Sequence, residues 1–372
     1  MASCQPLITS YSPEDCIFLL KPIKAKLQDI ENKEWLIQSG QMHYSQFLNP
    51  EFAPSDDYMS LFFMLVRKYK IRLAAEAYSI AERLCAEKSG SITLVSLARA
   101  GTPIGVLVAR IIRHFFRRDC VHFSLSIIRD KGLDFVAMDY VRAQGVSDKS
   151  IAFIDGWTAK GVISRELCNS VKLYNRRTGS EVSDALYVIA DLSGSAQFAA
   201  TEDDYAIPSS VLNSTVSGLV SRSILDDQIG SKDFHGCVVY SELAHADRSV
   251  WFVDQIFAEV LKVERSAGAV KANSQINVVR NNRLEFLRSV SRIYAVSDPN
   301  RIKPGVAEAT RAMLRRVPDV LLLNPEKLND VAHLLHIAER KGIEIRELRE
   351  MPFAACTIVK DVSLSHDFRN IK

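Results

Sequence analysis

The chain has no apolar run of membrane-crossing length and no CxxC pair. The longest unbroken apolar stretches, such as "LFFMLV" at 61–66, fall far short of the roughly 20 residues a spanning helix needs. "MASCQPLITSYSPEDC" carries no basic segment followed by an apolar core, so no secretion signal is expected. The seven cysteines, at 4, 16, 85, 120, 168, 237 and 356, are scattered and odd in number, which suits free thiols in a reducing cytoplasm rather than a disulfide framework. Internal repeats and low-complexity tracts are absent. So are the Walker A loop, whose two glycines precede Lys and Ser/Thr, and the Rossmann glycine fingerprint. Transmembrane, disulfide-scaffold, P-loop and dinucleotide-binding classes are therefore not indicated.

What is present reads as a globular protein of two or three domains: 372 residues, 47% hydrophobic and 24% charged. The net charge of +3 hides an asymmetry. Residues 181–260 hold thirteen Asp or Glu against Arg222, Lys232 and Arg248, whereas 265–316 hold eleven Lys or Arg against Glu285, Asp298 and Glu308. The basic stretch fits either an anionic partner such as nucleic acid or a solvated basic helix.

Residues 1–40 read as a polar lead-in. "YMSLFFMLVRKYKIRLAAEAYSIAERLCAEK" (58–88) has apolar residues at three- and four-residue spacing, the pattern of one or two amphipathic helices. Four apolar runs follow, "SITLVSL", "VHFSLSII", "SIAFID" and "ALYVIADL", each separated by a helical stretch, which predicts a parallel α/β sheet covered on both faces. Ligands of such sheets bind at the carboxyl ends of the strands. The loops "ARAGTP" (98–103), "RDKG" (129–132) and "DGWTAKG" (155–161) should then open on one edge. The Ser/Thr/Ala/Gly-rich stretch 194–223 could form a lid or insert, and 249–268 returns to helical periodicity.

A helix N-terminus with a glycine at its start, flanking hydroxyls and a lysine attracts phosphate. Thr158, Ala159, Lys160, Gly161 and Ser164 supply such a turn, and Asp155 precedes it. The same residues would serve equally as an ordinary helix cap. Arg99 could pair with a diphosphate, with the backbone at Ala100, Gly101 and Thr102 forming an anion nest. Arg129 and Lys131 add cations at the neighbouring strand end.

"AKGVIS" after Asp155 resembles the ribose-phosphate loop of type I phosphoribosyltransferases, with Gly156 where that family usually has a second acid. "SLARAGTPIGVLVAR" is similar to its pyrophosphate loop. Together with "IIRDKGLD" and "IPSSVLNSTVSGLVSRS", these loops resemble a divergent phosphoribosyltransferase-like family of bacterial tellurium-resistance gene clusters, also labelled cysteine protease StiP. The resemblance covers roughly 40–290, with a sheet domain expected over 41–290. It implies a transferase that binds phosphoribosyl diphosphate or a related nucleotide with Mg²⁺. Asp155 would be metal ligand and catalytic group, aided by Arg129 and Lys131. The protease label would need a cysteine beside a histidine; Cys237 or Cys168 with His235 or His245 are the candidates.

"IKPGVAEATRAMLRR" (302–316) resembles the RNA-binding helix of the L7Ae/pelota family, with Gly305, Glu308 and Thr310 in place, Arg311 for the usual lysine and Ala307 for the usual asparagine. It implies a small α/β RNA-binding domain over 296–372, with Lys303, Gly305, Glu308, Thr310, Arg311 and Arg315 at the interface. The expected protein is a cytoplasmic transferase acting in nucleoside-like metabolism or an RNA-linked stress response. An RNA-binding regulator that senses a nucleotide, and a cysteine protease, are the alternatives. No membrane partner is expected, and self-association is left open.

Overall fold

A computed structural model of the chain describes residues 5–262 and 276–363. In chain order its elements are β1 (Ile17–Leu19), β2 (Lys21–Pro22), α1 (Ile30–Gln38), α2 (Asp56–Glu87), β3 (Ile92–Ala98), α3 (Gly101–Phe115), β4 (Cys120–Ile128), β5 (Gly132–Leu133), α4 (Phe135–Ala143), β6 (Ile151–Thr158), α5 (Val162–Thr178), β7 (Leu186–Asp191), β8 (Phe198–Thr201), β9 (Gly236–Cys237) and α6 (Ser249–Val260). The C-terminal part continues with α7 (Ile276–Ile293), β10 (Ile302–Pro304), α8 (Val306–Arg315), β11 (Pro318–Leu323), α9 (Ala332–Lys341), β12 (Glu344–Glu347) and β13 (Ala355–Val359).

The main sheet runs β1-β4-β3-β6-β7-β8, every pair parallel, with β5 added antiparallel to β4. Its central strands are apolar on both faces, and both faces are covered. Helices α2, α3 and α6 pack one side through Leu73, Ile80, Leu107, Ile111 and Phe252; α4 and α5 pack the other through Met138, Val141, Leu167 and Tyr174. The apolar stretch 58–88 lies in a single 32-residue helix. It starts where Ser55 accepts the N–H of Tyr58 at 3.4 Å, with Asp56 and Asp57 in the first turn facing the helix dipole.

The expected lead-in is a structural part instead. Ile17–Leu19 form the sheet's edge strand beside β4, and β2 pairs with β9. Apolar Ile17, Phe18 and Leu19 interrupt a polar context, so composition over 1–40 averaged them away.

The C-terminal sheet, β10-β13-β11-β12, is mixed: β11 is parallel to β12 and antiparallel to β13. This small α/β domain shares its core with the first. Val306, Ala309 and Met313 of α8 belong to the same apolar cluster as Tyr205 and Ile207, and Ala159 and Leu192 join a cluster with Ile302, Leu322 and Phe353. In the stretch 194–223, read as a possible lid or insert, β8 extends the main sheet and residues 204–212 are almost wholly buried.

Candidate functional site

The parallel order brings the ends of β3, β4 and β6 to one edge. Loops 98–103 and 155–161 touch closely: a Cβ on Gly101 would lie 2.4 Å from the Ile154 carbonyl oxygen, and one on Gly156 would lie 3.3 Å from that of Ala100. Thr102 is buried and its Oγ1 lies 2.8 Å from Ser124 Oγ. The β6–α5 turn is a left-handed Gly161, φ 65°, leading into α5. It is filled by the chain's own hydroxyls. Thr158 Oγ1 lies 3.1 Å from Ser193 Oγ, Ser195 Oγ donates to Ser164 Oγ at 2.8 Å, and a Cβ on Gly161 would meet Ser195 Oγ at 3.0 Å.

Lys160 and Arg129 of this edge face the C-terminal domain. Lys160 Nζ donates to the carbonyls of Pro299 (2.9 Å) and Ile302 (3.0 Å). Arg129 donates from Nη1 to Asn300 Oδ1 at 3.0 Å, while its backbone N–H donates to Tyr44 Oη at 2.7 Å. Lys131 sits farther out on the same loop, near His43, whose pKa is lowered first by burial and then by this lysine. Burial raises the Asp155 carboxyl to about 7, against the N–H of Gly156 at 2.7 Å and the nearby Arg311. Among the described residues no group of three acidic, His or Cys side chains gathers to hold a metal. The cation that acts on the Asp155 carboxyl is the Arg311 guanidinium.

Of the residues expected on an RNA face, Gly305 and Thr310 are buried and Lys303, Glu308, Arg311 and Arg315 are part-exposed. Gly305 is buried, and a Cβ there would meet Leu192 Cδ1 at 2.6 Å. Thr310 is fully buried, donating to the Val306 carbonyl at 2.7 Å with His333 Nε2 at the same distance. Arg311 lies 4.5 Å over the Trp157 ring. Burial lowers Lys303 to about 7; it raises Glu308, but Lys303, Arg311 and Lys160 outweigh it and hold that carboxyl below its usual value. The predicted phosphate edge and the predicted RNA helix thus cover each other. Separately read motifs could not reveal this, because neither encodes its partner surface.

Beside this joint lies a cavity of about 1020 Å³, lined by Lys33, Glu51, Tyr58, Arg99, Arg222 and Arg315 among others. None of the described cysteines lines it. Arg99 donates from Nη1 to the Val220 carbonyl at 2.7 Å and lies 3.4 Å from Glu51 Oε2.

The expected protease pairs do not assemble. Cys237 is fully buried with its thiol pushed up to about 12, and the His235 ring turns to Ser126, Nδ1 to Oγ at 2.8 Å. Two residues apart in sequence, they follow different neighbours because β9 is only two residues long. Cys168 lies on α5 beside Lys172, and His245 Nδ1 lies 3.1 Å from the Glu242 carbonyl. The thiol–imidazole approach occurs elsewhere. Cys16 Sγ lies 3.9 Å from His122 Nε2. His122 Nδ1 is 2.9 Å from the Asp15 carbonyl and Nε2 is 2.9 Å from Ser96 Oγ. Burial raises the Cys16 thiol well above its usual value and lowers His122 to about 4, so both are neutral. The pair is 106 residues apart; the one sequence signal was a histidine inside the apolar run "VHFSLSII".

The geometry defines an α/β protein with a C-terminal domain docked on the carboxyl edge of its parallel sheet and a thiol–imidazole contact inside the first domain. Residues 9–257 match the family described as tellurite-like stress resistance cysteine protease StiP, and 281–361 match the PELOTA RNA binding domain. The chain is 38% identical over 362 residues to the cysteine protease StiP of Acinetobacter baylyi (strain ATCC 33305 / BD413 / ADP1), across 94% of each chain. It belongs to the StiP family. That finding overturns the transferase expectation: family and relative both carry the name of a protease, not of a glycosyl- or phosphoribosyltransferase. A phosphate turn already filled by serines and a Lys160 spent on two carbonyls agree with the correction. No helix among the described residues is long and apolar enough to cross a membrane.

Proposed function

We propose that the chain is a thiol-dependent peptidase, with Cys16 as nucleophile and His122 as its base. The observation that carries the assignment is the 3.9 Å approach of Cys16 Sγ to His122 Nε2 with Nδ1 held at the Asp15 carbonyl. A carbonyl only accepts, so Nδ1 carries the proton and Nε2 accepts, the tautomer a general base requires; in the resting protein Ser96 Oγ at 2.9 Å is its closer donor and must yield to the thiol. The thiol gives its proton to Nε2, and the sulfur attacks the peptide carbonyl carbon. His122 returns the proton to the leaving amine, and water then hydrolyses the thioester. Cys16 is 3% exposed, so a peptide reaches Sγ only after the structure around it opens. The name of the StiP relative supports the peptidase class.

The test compares Cys16→Ser, Cys237→Ser and Cys168→Ser on an unstructured casein substrate. Loss of cleavage in Cys16→Ser alone is expected. Full activity in Cys16→Ser overturns the assignment.

RNA binding by the C-terminal domain is a second proposal, supported by its match to the PELOTA RNA binding domain. Fluorescence anisotropy of the full chain with a labelled RNA hairpin, repeated at rising salt, tests it. Binding that weakens steadily with salt is expected, and no binding at 50 mM salt (about the low end of such titrations) overturns it.

A further inference from the structure

Four basic side chains, Lys33, Arg99, Arg222 and Arg315, line the 1020 Å³ cavity, and Glu51 is the acid set among them. Glu51 is committed: its Oε1 accepts the Ser214 N–H at 2.7 Å and the Ser214 hydroxyl at 2.5 Å, and its other oxygen faces Arg99. Asp29, Glu31, Arg340 and Lys341 also line the cavity; Asp29 caps α1 by accepting the Asn32 N–H at 2.8 Å, and Lys341 Nζ donates to the Met313 carbonyl at 2.6 Å. Among the described residues, neither Arg222 nor Arg315 has a carboxylate at ion-pair distance. Arg222 Nη1, Arg315 Nη2 and His336 Nε2 are buried atoms with no hydrogen-bond partner. Arg315 is crowded by like charge, its pKa pulled well down by burial and then by Arg99 and Arg311.

Buried donors without acceptors and uncompensated like charges are both costly, and an anion relieves both. A single carboxylate balances one of the excess charges; a phosphate ester carries more charge and three acceptor oxygens for the guanidinium forks. Tyr58, Tyr240 and the 78%-exposed Phe52 give the same cavity aromatic surface. The volume matches the upper range of small-ligand sites, roughly 300–1,000 Å³.

We propose that this cavity, built jointly by α1, the 211–222 segment and α8, binds a phosphate ester of mononucleotide size. The phosphate sits between Arg99, Arg222 and Arg315, and the aromatic side chains take the base. Neither domain alone makes the site, because Arg315 comes from α8 and Arg222 from the segment beneath it. The site is separate from Cys16.

The experiment is isothermal titration of the full chain with AMP, inorganic phosphate, acetate, and RNA hexamers with and without a 5′-phosphate. AMP should bind and acetate should not compete. Arg222→Gln and Arg315→Gln should each weaken AMP at least tenfold, while Arg315→Lys, which keeps the charge, should lose less. Cys16→Ser should bind as the parent does, which separates this outcome from that of the peptidase test. Binding of AMP but not of the hexamers identifies a free nucleotide. Binding of the 5′-phosphorylated hexamer but not its 5′-hydroxyl counterpart identifies an RNA end, with the same phosphate chemistry. The proposal fails if no phosphate compound binds at millimolar concentration, if acetate competes equally, or if folded Arg222→Gln and Arg315→Gln both retain the parent affinity.

Discussion

Arg311 holds its guanidinium 4.5 Å above the indole of Trp157, joining the helix read as an RNA surface to the loop read as a phosphate turn. The two features are halves of one joint. A cation desolvated against an aromatic face is worth about 2 kcal/mol. In a double-mutant cycle of Arg311→Ala and Trp157→Leu followed by urea unfolding, a coupling of about 1–2 kcal/mol is expected. Strict additivity would show that the stack does not stabilise the joint.

Asp204 pins the domains by its backbone partners. Oδ1 accepts the Val306 N–H at 2.8 Å and Oδ2 the Ala354 N–H at 2.7 Å. Asp204→Ala strands two buried donors at about 1–3 kcal/mol each. A loss of about 2–5 kcal/mol in urea unfolding is expected, and a change below about 1 kcal/mol would contradict the pinning role.

The joint also has a pH signature. Burial raises Asp155 from an ordinary 3.8 to about 7. Between these values the folded state binds the proton and the unfolded chain does not, so this group's contribution is full below about pH 4 and is lost as pH rises to 7. Asp155→Asn removes the titration. Its stability relative to the parent should rise from pH 4 to pH 7, measured by thermal unfolding at fixed ionic strength. A flat difference would place the carboxyl in water.

Gly105 is a packing requirement of the thiol–imidazole pair. A Cβ there would lie 2.3 Å from His122 Nε2, the nitrogen facing Cys16 and Ser96. Gly105→Ala should cost about 1–3 kcal/mol, typical of overpacking, and shift the His122 ring resonances. Unchanged resonances would mean that the ring does not face α3.

Thiol reactivity should rank by burial. Cys16, Cys120, Cys237 and Cys356 are buried with raised pKa values, whereas Cys168 is partly exposed. In native labelling by iodoacetamide with mass spectrometry, Cys168 should react before those four. First labelling at Cys16 would show that the structure around it opens readily in the resting protein.

The parallel sheet was legible because apolar runs alternate with amphipathic helices, and burial on both faces demands that pattern. The C-terminal α/β domain was legible from "GVAEATRAMLRR" and the strands behind it. What was not legible is long-range. Cys16 and His122 are distant in sequence and meet only because β1 docks beside β4. Arg222 was one cation in an acidic stretch, with nothing local to aim it at Arg99 and Arg315. Lys160 looked like a phosphate ligand because its residue type and place fit one. Its acceptors, the Pro299 and Ile302 carbonyls, belong to a domain that local pattern treats as separate.

The shared burial of Lys160, Lys303, Glu308 and Arg311 sets how the two halves respond to their ionic surroundings. Counter-ions screen charges they can approach, within about 8 Å at physiological strength. These four charges are partly shielded where the domains meet, so added salt weakens their balance less than it would that of pairs on the open surface. Arg222 and Arg315 of the neighbouring cavity are shielded to a similar degree. Joint and cavity therefore answer to ionic strength together, as one electrostatic unit shared by the two domains.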